Sequence, residues 1–329
     1  MNLNKSNRSL LYHLDSNARL GFSELGKLLG VSEGAVRYRY ECLVEEGVIL
    51  SAYPVVDVGR VGYSVHKVLC KLAGASEQDL RTMLTTLKKH DKVNWVARFD
   101  GQYDLGCTVF VKHLGEVAQF VDSFRSKFFS KIRHIAYAVN LQGEFFPRDY
   151  LIRLDRPNNN AATYRSFAEE GLSEKEQWNS DEYIGIVRCL ARDVRLSVAS
   201  IARELSLSSE TVRKRLARLE SSKIIAGYRL ALDNSKIGRE SFYLLLSIQP
   251  VAEKRLSAFV KFLRETPEVV YLIRMLGGWD FDVSIEVKDG AHYRQFIGKL
   301  LELFPDVIKD VQTLTTWQVV KFGIVPPSF

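Results

Sequence analysis

Leu207-Ser-Ser-Glu-Thr-Val-Arg-Lys-Arg-Leu-Ala-Arg-Leu-Glu220 is the stretch on which the fold turns. Val212, Leu216 and Leu219 recur at i, i+4 and i+7, which gives a helix one apolar face. Arg213, Lys214, Arg215 and Arg218 fill much of the rest. Ser208 is placed to cap the helix N-terminus, its hydroxyl accepting from an exposed backbone N–H. Upstream, Val198-Ala-Ser-Ile-Ala-Arg-Glu-Leu205 has the spacing of a second amphipathic helix, and Ser206-Leu207-Ser208 leaves room only for a tight turn. Helix, tight turn and basic helix make a helix-turn-helix, whose second helix enters the DNA major groove. The plain alternative is a charged helix with a solvated face.

Repetition weighs against that alternative. Arg37 and Arg39 match Arg213 and Arg215, and 213 − 37 = 176. The same offset pairs Leu29 with Leu205, Ser32 with Ser208, Val36 with Val212, Gly62 with Gly238, Gly101 with Gly277, Asp104 with Asp280 and Phe146 with Phe322. One register holds without a gap, so the chain is an internal duplication. Its period is far too long for a solenoid and suits a pair of domains.

At 329 residues, with 46% hydrophobic and 26% charged residues, the chain reads as a multidomain globular protein. No apolar run reaches the roughly 18 residues of a membrane helix, and Met-Asn-Leu-Asn-Lys-Ser-Asn-Arg at the start has no apolar signal core behind it. A cytoplasmic location is therefore expected. Cys42, Cys70, Cys107 and Cys189 are scattered, and the six histidines lack metalloprotease spacing, so neither metal nor cofactor is expected. A net charge of +7 favours an anionic partner.

The periodicities give an α+β chain in which two winged-helix-type helix-turn-helix units alternate with two ferredoxin-like β-α-β-β-α-β domains. The expected divisions are 1–60, 61–147, a linker at 148–180, 181–236 and 237–329. Within the first unit the spacing predicts helices around Leu10–Leu14, at Phe22–Leu29 and at Glu33–Glu45. Gly21 to Leu28 nearly matches a phosphate-binding loop, but Leu28 stands where a hydroxyl must hold magnesium, and no buried strand precedes it. In the linker, Pro157-Asn158-Asn159-Asn160 breaks regular structure, and Glu169 to Glu176 is expected to form a short exposed helix.

The second helix-turn-helix ends in Leu219, Glu220, Ile224, Ile225, Gly227 and Tyr228, and the domain behind it carries Gly-Gly-Trp-Asp at Gly277–Asp280. The first half has Gly47-Val48-Ile49 and Gly101-Gln-Tyr-Asp104 in the matching places. This combination resembles the Lrp/AsnC, or feast/famine, transcription regulators over nearly the whole chain apart from the linker. The departure is that two such modules stand in tandem. The resemblance implies binding of double-stranded DNA through the helix-turn-helix. It implies sheet-to-sheet pairing, here as a homo-oligomer or an intrachain pseudo-dimer. It also implies a small effector, such as an amino acid, near the Gly-x-aromatic-Asp turn. Effector residues so implied are Gly101, Tyr103, Asp104, Gly277, Trp279 and Asp280, with Thr315 adding a hydroxyl from the last strand.

Between residues 181 and 230 ten basic side chains face six acidic ones, whereas between 1 and 53 six face six. Because phosphate neutralisation dominates DNA affinity, the second unit is expected to bind more strongly. The DNA-contact candidates are Ser209, Glu210, Arg213, Lys214 and Arg218, with Arg37 and Tyr38 in the first unit. Arg39 and Arg215 adjoin the apolar face and suit an intramolecular ion pair equally well. Two other functions compete. A sirohaem-type (haem-precursor) decarboxylase of similar architecture would carry a His and Tyr cluster on the second strand of the ferredoxin-like domain, and neither Val93–Phe99 nor Val269–Met275 contains a His. An effector-binding partner protein that has lost DNA affinity is the other, and the basic helix argues against it.

Overall fold

The computed structural model describes residues 3–152, 155–156, 161–166, 180–323 and 325. The first helix-turn-helix head is α1 (Lys5–Ser16), α2 (Phe22–Leu29) and α3 (Glu33–Glu45), and the second is α6 (Asp181–Arg192), α7 (Val198–Glu204) and α8 (Ser209–Ser221). Ser32 and Ser208 cap α3 and α8, accepting from Ala35 N at 3.2 Å and Thr211 N at 3.0 Å. Gly21 merely precedes α2 and Gly26 packs against the turn at Val31, so the phosphate-loop look-alike is ordinary helix.

Each head runs into one strand, β1 (Ile49–Val56) or β7 (Ile225–Leu232), and these two pair antiparallel with each other. The extended segment of each head thus pairs with its counterpart in the other. Helix α1 packs on β7 and α6 on β1, and one apolar core runs through both heads. Arginines at equivalent positions lock the crossing. Arg19 donates to Val194 O and Leu196 O at 2.5 and 3.3 Å, and Arg195 to Ala18 O and Leu20 O at 2.7 and 3.0 Å.

The first ferredoxin-like unit is β2 (Ser64–Leu72), α4 (Glu77–Lys89), β3 (Val93–Gly101), β4 (Leu105–Val111), α5 (Leu114–Lys127) and β5 (Ile132–Phe145). The second is β8 (Glu240–Ile248), α9 (Glu253–Glu265), β9 (Val269–Gly277), β10 (Phe281–Val287), α10 (Gly290–Leu303) and β11 (Ile308–Lys321). Strand β11 pairs with β3 and β5 with β9, so the two sheets join within the chain. With β2 also on β5, the order β2-β4-β3-β11-β8-β10-β9-β5 closes on itself as an antiparallel barrel. Alternation sends Val68, Val93 and Leu105 outward under α4 and α5, and Val283 and Ile285 outward under α9 and α10. Leu69, Trp95, Phe99, Tyr243, Leu245 and Met275 fill the inside.

The stretch taken as a linker is partly structural. Strand β6 (Ala162–Arg165) continues the edge of β5 beyond the point where β2 leaves it. Arg148, Tyr150, Arg156 and Tyr164 are buried. Polar spacing and a Pro-Asn run say nothing about a four-residue strand that adds to the end of β5. The helix expected between Glu169 and Glu176 lies outside the described residues.

A one-sided ionic clasp joins heads and barrel. Buried Arg148 donates through Nε and Nη2 to Glu286 on β10 at 2.7 and 3.0 Å, and through Nη1 to Asp15 on α1 at 3.0 Å. Tyr150 OH also donates to Glu286. Burial alone would raise the Glu286 pKa, but the Arg148 charge and these hydrogen bonds hold it below the usual carboxylate range. At the offset of 176, Asp15 corresponds to Ala191 and Glu286 to Phe110.

Candidate functional site

Along α8, Val212, Leu216 and Leu219 are buried, and Ser209, Glu210, Arg213, Lys214 and Arg218 lie on the exposed side. Among the described residues, Arg213 and Lys214 are held only by the Glu210 carboxylate, at 2.5 and 3.6 Å. Ion pairs this exposed contribute about 0–1 kcal/mol, so a phosphate can compete for both cations. Arg218 Nη1 donates to Tyr183 OH at 3.4 Å. Arg215, half-buried, is paired with Glu182 on α6, as the alternative for that position had it.

On α3, Tyr38 is exposed and Arg37 pairs with Glu33 at 3.0 Å, its guanidinium 4.8 Å from the Phe22 ring centre. Arg39 corresponds to Arg215, but Ser6 stands where the second head has Glu182. The charge count also changes in three dimensions. Arg195 is spent on backbone carbonyls of the first head, Arg229 is buried, and Arg192 pairs with Glu204 at 2.5 Å.

The two Gly-x-aromatic-Asp turns sit at the seams where the domains join. An added Cβ on Gly101 (φ 130°) would lie 2.8 Å from Thr313 O, and one on Gly277 (φ 124°) 3.1 Å from Tyr137 O. Each glycine is thus fixed by the close approach of the opposite domain's last strand. Tyr103 and Trp279 are buried and meet edge-to-face, centroids 5.7 Å apart. Asp104 accepts from Leu72 N at 2.7 Å and Lys71 Nζ at 3.0 Å, and Asp280 from Ile248 N at 2.8 Å. Both aspartates therefore tie their turns to the end of a neighbouring strand of the same domain, β2 or β8.

Beside the first turn lies an open depression of about 580 Å³ whose walls include Ser76, Glu77, Arg98, Asp100, Asp104 and Trp317. Arg98 stacks 4.0 Å over the Trp317 ring. Thr315 pairs with Asp100 across the β3–β11 seam. Its hydroxyl therefore belongs beside the first turn rather than the second. Sequence reasoning gave it to its own half because a strand's pairing partner cannot be read from periodicity. For the same reason Asp100, Arg98 and Trp317 were missed: they come from both halves.

Sequence models of two domains match this chain. That of the AsnC-type helix-turn-helix domain matches residues 3–43 and 184–220, and that of the Lrp/AsnC ligand binding domain matches residues 241–323. The Bkd operon transcriptional regulator of Pseudomonas aeruginosa is 32% identical over 123 residues, 37% of this chain and 80% of the relative. The DNA-binding transcriptional activator DecR of Escherichia coli K12 is 29% identical over 138 residues, 42% of this chain and 90% of the relative. Among solved structures, the siroheme decarboxylase NirDL aligns over 98% of this chain and 94% of its own, with a TM-score of 0.59 and 13% identity. At that identity the likeness is one of fold: a whole chain with the same tandem architecture.

Proposed function

Since the chain belongs to the Lrp/AsnC family, we propose that it is a sequence-specific DNA-binding transcription regulator whose activity responds to a small molecule. The observation that carries this reading is the exposed face of α8, where Arg213 and Lys214 have no partner beyond Glu210 among the described residues. Two heads paired through β1 and β7 make the chain its own dimer, and two half-sites can be read by one polypeptide. The heads differ at nearly every exposed position, so the operator is asymmetric rather than palindromic.

The effector site belongs in the depression beside the first turn. There Arg98 suits a carboxylate, and Glu77 and Asp100 suit an ammonium group, which is the chemistry of an amino acid. At the second turn, Leu276 and Leu141 replace Asp100 and Trp317, which leaves that seam poorer in polar groups. A decarboxylase reading gains no support from β3 or β9, neither of which carries a histidine.

Selection of bound duplexes from a random pool tests the proposal. The expected result is enrichment of two unlike half-sites, with binding weakened steeply by salt. No enrichment, or a tetrapyrrole absorbance shift on adding a haem precursor, would contradict it.

A further inference from the structure

Much of the barrel interior is apolar. Within it Lys67 and Asp282, both buried, face each other from β2 and β10 across the two halves, Lys67 Nζ donating to Asp282 Oδ2. Lys67 Nζ also lies 5.2 Å from the ring centres of Trp95 and Tyr243. Beside this pair is a cavity of about 70 Å³, whose walls include Lys67, Trp95, Asn140, Tyr243 and Asp282. Asn140, also buried, donates through Nδ2 to Tyr164 OH at 3.1 Å. Two acceptors there, Asp282 Oδ1 and Asn140 Oδ1, have no hydrogen-bond partner among the described residues.

Stability alone does not account for this arrangement. Replacing a buried ion pair with apolar residues of similar size is often neutral or stabilising, and leaving a buried acceptor unpaired costs about 1–3 kcal/mol. Nor does the duplication account for it. Lys67, Asp282 and Asn140 correspond to Tyr243, Gly106 and Thr316. The polar centre therefore exists once per chain, assembled from opposite halves. A buried polar centre with two free acceptors beside a cavity offers both room and hydrogen-bond partners to a small polar guest.

We propose that this cavity binds a compact, net-neutral molecule that presents N–H donors beside one acceptor oxygen. Its N–H groups satisfy Asp282 Oδ1 and Asn140 Oδ1, and its oxygen accepts from a remaining N–H of Lys67. Charge sets the class. Lys67 and Asp282 already balance, so a lone cation or anion would leave net charge buried, whereas a neutral ligand does not. Size narrows it, since the cavity is well below the roughly 150 Å³ that admits benzene. Formamide and acetamide, both smaller than benzene, have this chemistry. The cavity is also walled by Val56 and Val58 from the segment below the first head, and Tyr53 OH of β1 lies 3.3 Å from Tyr271 OH of β9.

Calorimetric titration of the whole chain, without DNA, tests this independently of the DNA-binding proposal. The probes are formamide and acetamide, compared with ethylammonium chloride and sodium acetate at matched ionic strength. At least one neutral probe is expected to bind saturably at one site per chain, and neither ion should. Asn140→Ala should weaken that binding about tenfold or more. The double change Lys67→Met with Asp282→Leu should abolish it while the protein stays folded; if the double variant does not fold, Asn140→Ala decides. The proposal is overturned if neither neutral probe binds, if only an ion binds, or if Asn140→Ala leaves the affinity unchanged.

Discussion

At the tight turn before each recognition helix the backbone takes the same left-handed conformation, but the first head places Gly30 there (φ 69°) and the second Ser206 (φ 55°). After the helix the pattern repeats, with Gly47 (φ 66°) in the first head and Lys223 (φ 61°) in the second. The first head is thus relaxed where the second is strained. The charges run the other way: α8 exposes Arg213, Lys214 and Arg218, and α3 exposes Arg37 and Tyr38. Two copies that share every helix have kept different properties, one an easy backbone and the other an electropositive surface. A shared fold therefore does not make the two heads equivalent.

The largest test of how unlike the halves are concerns the clasp, which takes Asp15 from the first half and Glu286 from the second, with Ala191 and Phe110 at the equivalent positions. Arg148→Ala leaves Asp15 and Glu286 buried without their cation and should lower the unfolding free energy by about 3–5 kcal/mol in urea titration. A loss below about 1 kcal/mol would mean the clasp is not an energetic asymmetry.

The next concerns His66, whose counterpart is Phe242. His66 is buried between Ser64 Oγ at 2.7 Å and Tyr137 OH at 2.6 Å, and burial pushes its pKa down to about 4. The unfolded chain binds this proton near pH 6.5 and the folded chain only near pH 4. Stability from this group is therefore complete above pH 6.5 and lost as pH falls toward 4, by no more than about 3 kcal/mol. His66→Phe should flatten the stability–pH curve in that window, and an unchanged slope would contradict the assignment.

Smaller still are the turn substitutions. Ser206→Gly should raise stability by up to about 1 kcal/mol, and Gly30→Ala should lower it by about 1–2 kcal/mol, both read from thermal unfolding. Effects of the same sign would erase the backbone contrast between the heads.

Local structure was legible because it is written locally. Apolar spacing placed α2 and α3 at Phe22–Leu29 and Glu33–Glu45, where they are found, and Ser208 marked the start of α8. The β-α-β-β-α-β order followed from the change of period near Tyr63. The pairing of β1 with β7 and of β11 with β3 was not legible, because alternation fixes which face a residue takes and not which strand lies beside it. The depression beside Asp104 and the Lys67–Asp282 centre both depend on that pairing. One signal was available: at the offset of 176, Lys67 faces a tyrosine and Asp282 a glycine, a departure that marks where the copies stopped being interchangeable.

The central claim is that the second head grips the duplex more strongly than the first. It is tested most directly by the salt dependence of affinity for one selected operator, measured for Arg213→Ala with Lys214→Ala and for Arg37→Ala with Tyr38→Ala. The first pair should weaken binding about tenfold or more and reduce the salt slope by about 2, and the second pair should reduce it by about 1 or less. Equal losses, or a larger loss from the first head, would contradict the account.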